Sequence, residues 1–210
     1  MPSSTSSIEV APLRHGLYSS CGLTSAGQLY CWGYNNDYQL GDGSKLSHAH
    51  AVRPLGDEVV KRFGIGVSFA CAVTDDDTTY CWGDNEDGQA DRSAKGVDVP
   101  YPSVRFEAAD SVPVSFAFGE THACALDHEG RAHCWGANDY LQLGRTTAEA
   151  WSDIGEVEGD LRFTQLVSGA EHVCGLATDG KVHCWGHNDR GQLGTGEYSE
   201  PRLPTVVVGQ

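Results

Sequence analysis

The chain writes one phrase four times, and that repetition restricts its fold more than any other feature. The copies are Cys21 to Gly41 (CGLTSAGQLYCWGYNNDYQLG), Cys71 to Asp91 (CAVTDDDTTYCWGDNEDGQAD), Cys124 to Gly144 (CALDHEGRAHCWGANDYLQLG) and Cys174 to Gly194 (CGLATDGKVHCWGHNDRGQLG). The leading cysteines are 50, 53 and 50 residues apart. That is the period of a repeat architecture, in which one supersecondary unit recurs and buries its faces against its neighbours.

Within each copy two short apolar runs bracket a turn, which predicts a hairpin. A three-residue loop, Ser25, Ala26 and Gly27 in the first copy, fits because such loops end in a residue of positive φ. Gly27, Gly130 and Gly180 supply it, and Asp77 tolerates it in the second copy. Thr24 and Gln28 then close the hairpin, and counting outward places Leu23 opposite Leu29, Gly22 opposite Tyr30 and Cys21 opposite Cys31. The cysteines face each other as a non-hydrogen-bonded pair, with Cα atoms about 4.5 Å apart, at the short end of what a disulfide accepts.

Four bridges are therefore expected: Cys21 to Cys31, Cys71 to Cys81, Cys124 to Cys134, and Cys174 to Cys184. Each would stabilise the fold by roughly 2 to 3 kcal/mol through loop closure. Eight reduced, buried cysteines are the alternative. A zinc site fits less well, because a spacing of ten without C-x-x-C is not metal-ligand spacing.

Gly16, Gly66, Gly119 and Gly169 each stand five residues before a first cysteine. Apolar segments precede them, such as Val59 to Ile65 and Leu161 to Val167, and read as one further strand per repeat. His122 and His172 follow three residues after such glycines and are expected to pack or hydrogen-bond rather than ligate. Trp32, Trp82, Trp135 and Trp185 follow the second cysteines and lie on the opposite face of the strand. Both faces of the sheet are then apolar, so copies must pack against one another like wedges. The turns from Asn35 to Gln39, Asn85 to Gln89, Asn138 to Gln142 and Asn188 to Gln192 recur in every copy. Their side chains are expected to hold the local backbone, not to catalyse.

The links between copies vary, and loops held on a rigid scaffold usually carry recognition. Tyr34, Tyr38, Tyr101, Tyr140, Leu141 and Trp151 sit in turns or links and are candidate partner-binding residues, packing between neighbouring repeats being the alternative. His48 with His50 is too little for a metal site, and Asp75, Asp76 and Asp77 lack the ligand spacing of a calcium loop. No cofactor or metal is expected. Neither a catalytic triad order nor a phosphate loop appears, so no enzyme activity is expected, an active site assembled from the links being the alternative.

Acidic residues outnumber basic ones 29 to 14, a net charge of -15, which disfavours nucleic acid and anionic membranes. No apolar run is long enough to span a bilayer. The start, MPSSTSSIEV, does not read as an export signal, yet paired cysteines suit an oxidising compartment. A leader can be removed, so an extracytoplasmic location (periplasmic, cell-surface or secreted) is the expectation. Residues 1–8 read as a flexible tail, and 9–210 as one repeat domain divided near 9–58, 59–111, 112–161 and 162–210.

The pattern G-x-x-H-x-C-A-L, a short turn, then C-W-G-x-N-x-x-G-Q-L-G resembles the repeat of the regulator of chromosome condensation family. The third and fourth copies match best; Tyr38, Leu141 and the run Gln89-Ala90-Asp91 depart from it. The resemblance implies an all-β propeller of four-stranded blades, usually seven to a ring. Its members include a nucleotide-exchange factor for a small GTPase, a plant ultraviolet photoreceptor and a bacterial β-lactamase inhibitor, and the paired cysteines resemble variants in predicted bacterial exported proteins. Four repeats imply a small or partial ring. It would be closed by residues 204–208 returning to the N-terminal hairpin, completed by a second chain, or capped by a partner. The expected function is a non-catalytic binding or scaffold module that presents its links to a protein partner, with GTPase regulation as the family-based alternative.

Overall fold

The computed structural model describes residues 8–106 and 112–209. Residues 1–7 of the expected tail, 107–111 at the end of the second expected repeat, and 210 lie outside the described residues. Among the described residues sixteen strands form four antiparallel sheets, each of four strands in sequence order. The first blade is β1 (Leu13–His15), β2 (Ser19–Leu23), β3 (Leu29–Gly33) and β4 (His48–Val52), and the second is β5 (Val60–Ile65), β6 (Phe69–Thr74), β7 (Thr79–Gly83) and β8 (Val99–Phe106). The third is β9 (Ser115–Phe118), β10 (His122–Leu126), β11 (Ala132–Ala137) and β12 (Trp151–Glu156); the fourth is β13 (Phe163–Ser168), β14 (His172–Ala177), β15 (Val182–Gly186) and β16 (Arg202–Val206). One 3-10 turn, Arg92–Ala94, interrupts the second link.

The hairpins have the expected register. Cys21 pairs with Cys31, Gly22 with Tyr30 and Leu23 with Leu29, and the same pairing recurs at Cys71 and Cys81, Cys124 and Cys134, and Cys174 and Cys184. All four pairs are disulfides with Cα atoms 4.1 Å apart. The turn residues Gly27, Asp77, Gly130 and Gly180 have φ of 78°, 67°, 78° and 85°, as a three-residue loop requires.

Period-two alternation turns the tryptophan away from the disulfide face, toward the preceding blade. There the indole N–H of Trp82 donates to the carbonyl of Gln39 at 2.9 Å, that of Trp135 to Gln89 at 2.8 Å, and that of Trp185 to Gln142 at 3.0 Å. These three indoles are fully buried, whereas Trp32, against which no blade packs among the described residues, is half-buried. A glycine rests on each seam as well. A Cβ on Gly16 would stand 2.0 Å from the Gly66 carbonyl oxygen, one on Gly66 3.1 Å from that of Gly119, and one on Gly119 2.8 Å from that of Ala170. Side chains there would hold the inner strands apart.

Neighbouring blades meet through β1 and β5, β5 and β9, and β9 and β13, while β13 and β1 form no comparable seam. The assembly is an open arc. Closure by the C-terminal strand is not what happens: β16 pairs with β15 of its own blade, Cys184 opposite Thr205 and Gly186 opposite Arg202. Every blade ends this way, each fourth strand returning to its own Cys-Trp-Gly strand across a bulge, so residues 202–206 complete the fourth blade rather than reaching the first.

Candidate protein-interaction rim

The recurring asparagine and glutamine build the rim. Asn35 is fully buried; its Oδ1 accepts from the Leu40 N–H at 2.9 Å, and its Nδ2 donates to Asp42 Oδ1 and to the Ser44 and Leu46 carbonyls. Asn85, Asn138 and Asn188 do the same in their own blades, each with one oxygen on the turn and its amide reaching into the link. The glutamines close the turns, Gln39, Gln89, Gln142 and Gln192 accepting from the N–H groups of Asp37, Asp87, Tyr140 and Arg190 at 2.8 to 3.0 Å. Carboxamides suit this work because one group both donates and accepts. The links thus leave the arc from four equivalent, rigid roots along one edge.

Along that edge the aromatic candidates are dealt out seam by seam. At the first seam the Tyr101 ring covers Gly43, and the Lys45 ammonium lies 4.7 Å from the Tyr38 ring while pairing with Asp98 at 3.0 Å. The second holds Trp151 against Gly88, with the Lys95 ammonium 4.5 Å from its ring. In the third, Tyr140 stacks on His187 at 4.3 Å, and His187 is held by Glu171 at 2.8 Å. Tyr34 packs edge-on to Tyr18 on the free face of the first blade. Tyr38 and Leu141 both have φ of 59° and fill the left-handed position that Gly88 and Gly191 occupy elsewhere. The six residues do not converge on one patch. Tyr101 stays 63% exposed and Tyr34 37%, while Tyr38, Tyr140, Leu141 and Trp151 are half-buried. Sequence reasoning passed over Tyr18 and Tyr198, which are 70% and 78% exposed; their place directly beside the repeat motif disguised them as framework.

Charge is uneven along the rim. Burial pushes the Asp84 carboxyl up from its ordinary value; an N–H bond from Glu86 opposes this, and the charges of Asp98, Asp37 and Glu86 add to it. Between blades two and three, Asp153 takes Arg92 and Arg105 at 2.8 Å each. Burial opposes its ionisation, but these partners hold it below the usual value. His48 bonds Asp42 at 2.7 Å and packs against His50. Asp76 accepts from Thr74 and Thr78 within its own turn. Among the described residues no group of three or more His, Cys, Asp or Glu is placed to hold a metal ion, and no helix is long and apolar enough to cross a membrane.

Inside the arc, His15, Ile65, Phe118 and Ser168, at the ends of the four inner strands, line one hollow with Gly16, Gly66, Gly119 and Gly169. His122 is fully buried behind it with Nε2 3.0 Å from Ser168 Oγ. Desolvation, with a smaller contribution from His172, lowers its pKa to about 3. His122 therefore packs and hydrogen-bonds, at a place where Ser19 and Phe69 stand in the first two copies.

Comparison with known proteins agrees with this architecture. The regulator of chromosome condensation (RCC1) repeat matches residues 60–89, 114–142 and 163–192 in one form, and 26–73 and 179–209 in another. The chain is 31% identical over 147 residues to the probable E3 ubiquitin-protein ligase HERC4 of Mus musculus, which is 69% of this chain and 14% of that protein. Human WBSCR16 superposes with a TM-score of 0.84 at 23% identity, over 95% of this chain and 53% of its own. Prp20p of Saccharomyces cerevisiae, described with its binding to Gsp1p and histones, gives 0.86 at 22% identity over 98% and 52%. The chain thus spans about half the length of these solved structures and a smaller share of the ligase.

Proposed function

Because the chain belongs to the regulator of chromosome condensation (RCC1) repeat family, we propose that it is a non-catalytic protein-binding or scaffold module of an exported or extracytoplasmic assembly. The observation that carries this reading is the set of four rigid link roots along one edge, each on a blade with its own disulfide. Four bridges in one chain suit an oxidising compartment. The exposed rings of Tyr34 and Tyr101 and the half-buried Trp151 are the contact residues proposed, since aromatic side chains supply much contact area at small entropic cost. A net charge of -15 favours a partner with a basic face.

The test is capture from periplasm or culture medium by the oxidised chain, with a Tyr34→Ala, Tyr101→Ala double variant as control. A protein retained by the parent and lost by the variant supports the reading. Recovery of no partner, or equal recovery by both, counts against it.

GTPase regulation is the second reading, favoured by the likeness to Prp20p. It requires a reducing compartment, so it predicts activity of the fully reduced chain on nucleotide release from a small GTPase. Loss of the fold on reduction would remove it.

A further inference from the structure

The two ends of the arc carry opposite halves of the joint that the chain makes three times internally. Each internal joint combines an indole N–H donated backward to a glutamine carbonyl, a glycine pressed on the next blade's carbonyl, and an apolar face covered by that blade. The first blade presents Trp32, half-buried, whose indole N–H has no acceptor among the described residues, and Leu13, 56% exposed where Phe63 and Leu166, at the same place in the second and fourth blades, are 8% each. On the fourth blade the Gln192 carbonyl accepts from no described residue, and Gln192 is half-buried where Gln39, Gln89 and Gln142 are 1%, 0% and 2% exposed. The three atoms nearest a Cβ on Gly169 all belong to its own blade's His172 ring, with no carbonyl of another blade among them. Val167 and Leu176 are 53% and 38% exposed, whereas Ala117 and Leu126, at the same places in the third blade, are 6% and 3%. Val167, Leu176 and Val182 line a shallow pocket on this face with Cys174 and Gly175.

We propose that these faces join copies of this chain head to tail. The Trp32 indole of one copy donates to the Gln192 carbonyl of the next, and Leu13 and Trp32 cover Val167 and Leu176. Continuity with the internal seams argues for this occupant, because the missing donor, the missing acceptor and the missing cover all belong to the same repeat. A head-to-tail contact closes when the rotation allows, and two arcs of four blades then satisfy both joints as a two-fold ring. This inference stands apart from the partner proposed above: one concerns oligomeric mass, the other capture.

Sedimentation or light scattering of the oxidised chain is expected to give twice the 22.5 kDa of one copy. Trp32→Ala and Leu176→Asp remove opposite halves of the joint at partly exposed positions, so each variant is expected to fold and to dissociate. Each should weaken association roughly 30-fold or more, the size for truncating a buried interface anchor. Mixed together, the two variants restore one intact joint and are expected to form a one-to-one pair, with circular dichroism and intact mass reporting fold and disulfides. A monomeric parent at its highest soluble concentration overturns the proposal. So does a dimer that survives both substitutions, or a mixture of folded variants that stays monomeric.

Discussion

The indole N–H of Trp135 lies 2.8 Å from the carbonyl oxygen of Gln89, across the seam between the second and third blades. Neither group has access to solvent, so the pair must satisfy itself. The same bond at Trp82 and Trp185 makes the tryptophan a fastening between blades. Trp135→Phe keeps an aromatic ring but orphans the carbonyl. It is expected to cost about 1–3 kcal/mol, the penalty of a buried unpaired polar group, with more from the volume lost. Urea unfolding of oxidised protein measures it, and an unchanged midpoint would show that the bond contributes nothing.

The disulfides make a separate prediction. Alkylation after denaturation without reductant is expected to label none of the eight cysteines, and after reduction all of them. Replacing Cys71 and Cys81 together by alanine should cost roughly 2–3 kcal/mol, because the loop closed by ten residues is short. Intact mass and thermal unfolding check both statements.

His122 gives the acid side of the stability curve. Its folded pKa is depressed to about 3 from 6.5, so between those values the unfolded chain binds a proton that the folded chain does not. Stability is full above pH 6.5 and falls as pH drops toward 3, at about 1.4 kcal/mol per pH unit for this one group. Phe69 occupies the equivalent place in the second blade. His122→Phe is therefore expected to flatten the acid limb relative to the parent, and parallel limbs would refute the assignment.

Asp84 has the opposite sign. Its folded pKa is raised by burial and by Asp98, Asp37 and Glu86, so the folded chain holds the proton longer. Its contribution is present below pH 3.8 and lost as pH rises through the folded value. Asp84→Asn, which can still accept from Glu86, is expected to stabilise at neutral pH, with the gain vanishing in acid. Denaturant midpoints at both pH values decide it.

Much of a blade is visible in sequence because its forces are local. Pairing of Cys21 with Cys31 follows from the turn at Gly27 and the alternation of a hairpin, both set within a few residues. The seams are another matter. Nothing in the side chain of Gln89 announces that its backbone carbonyl will serve Trp135, 46 residues later. Gly119 reads as a bend until Ala170 of the next blade is seen pressed upon it. The aromatics illustrate the same gap, since composition alone does not separate Trp151, laid on Gly88, from Tyr101, which stays largely open to water. Closure at residues 204–208 failed for a related reason: a strand-like run does not say which edge it will choose.

Each bridge lies within one blade, and none of the four ties one blade to the next. Under a pull on its two ends, the molecule is therefore a row of locked beads on a string, not a welded ring. The links straighten first and the tryptophan fastenings give way singly, while the segments between bonded sulfurs stay hidden from the load. Extension would come in steps shorter than a whole repeat, and adding a reductant would lengthen every step.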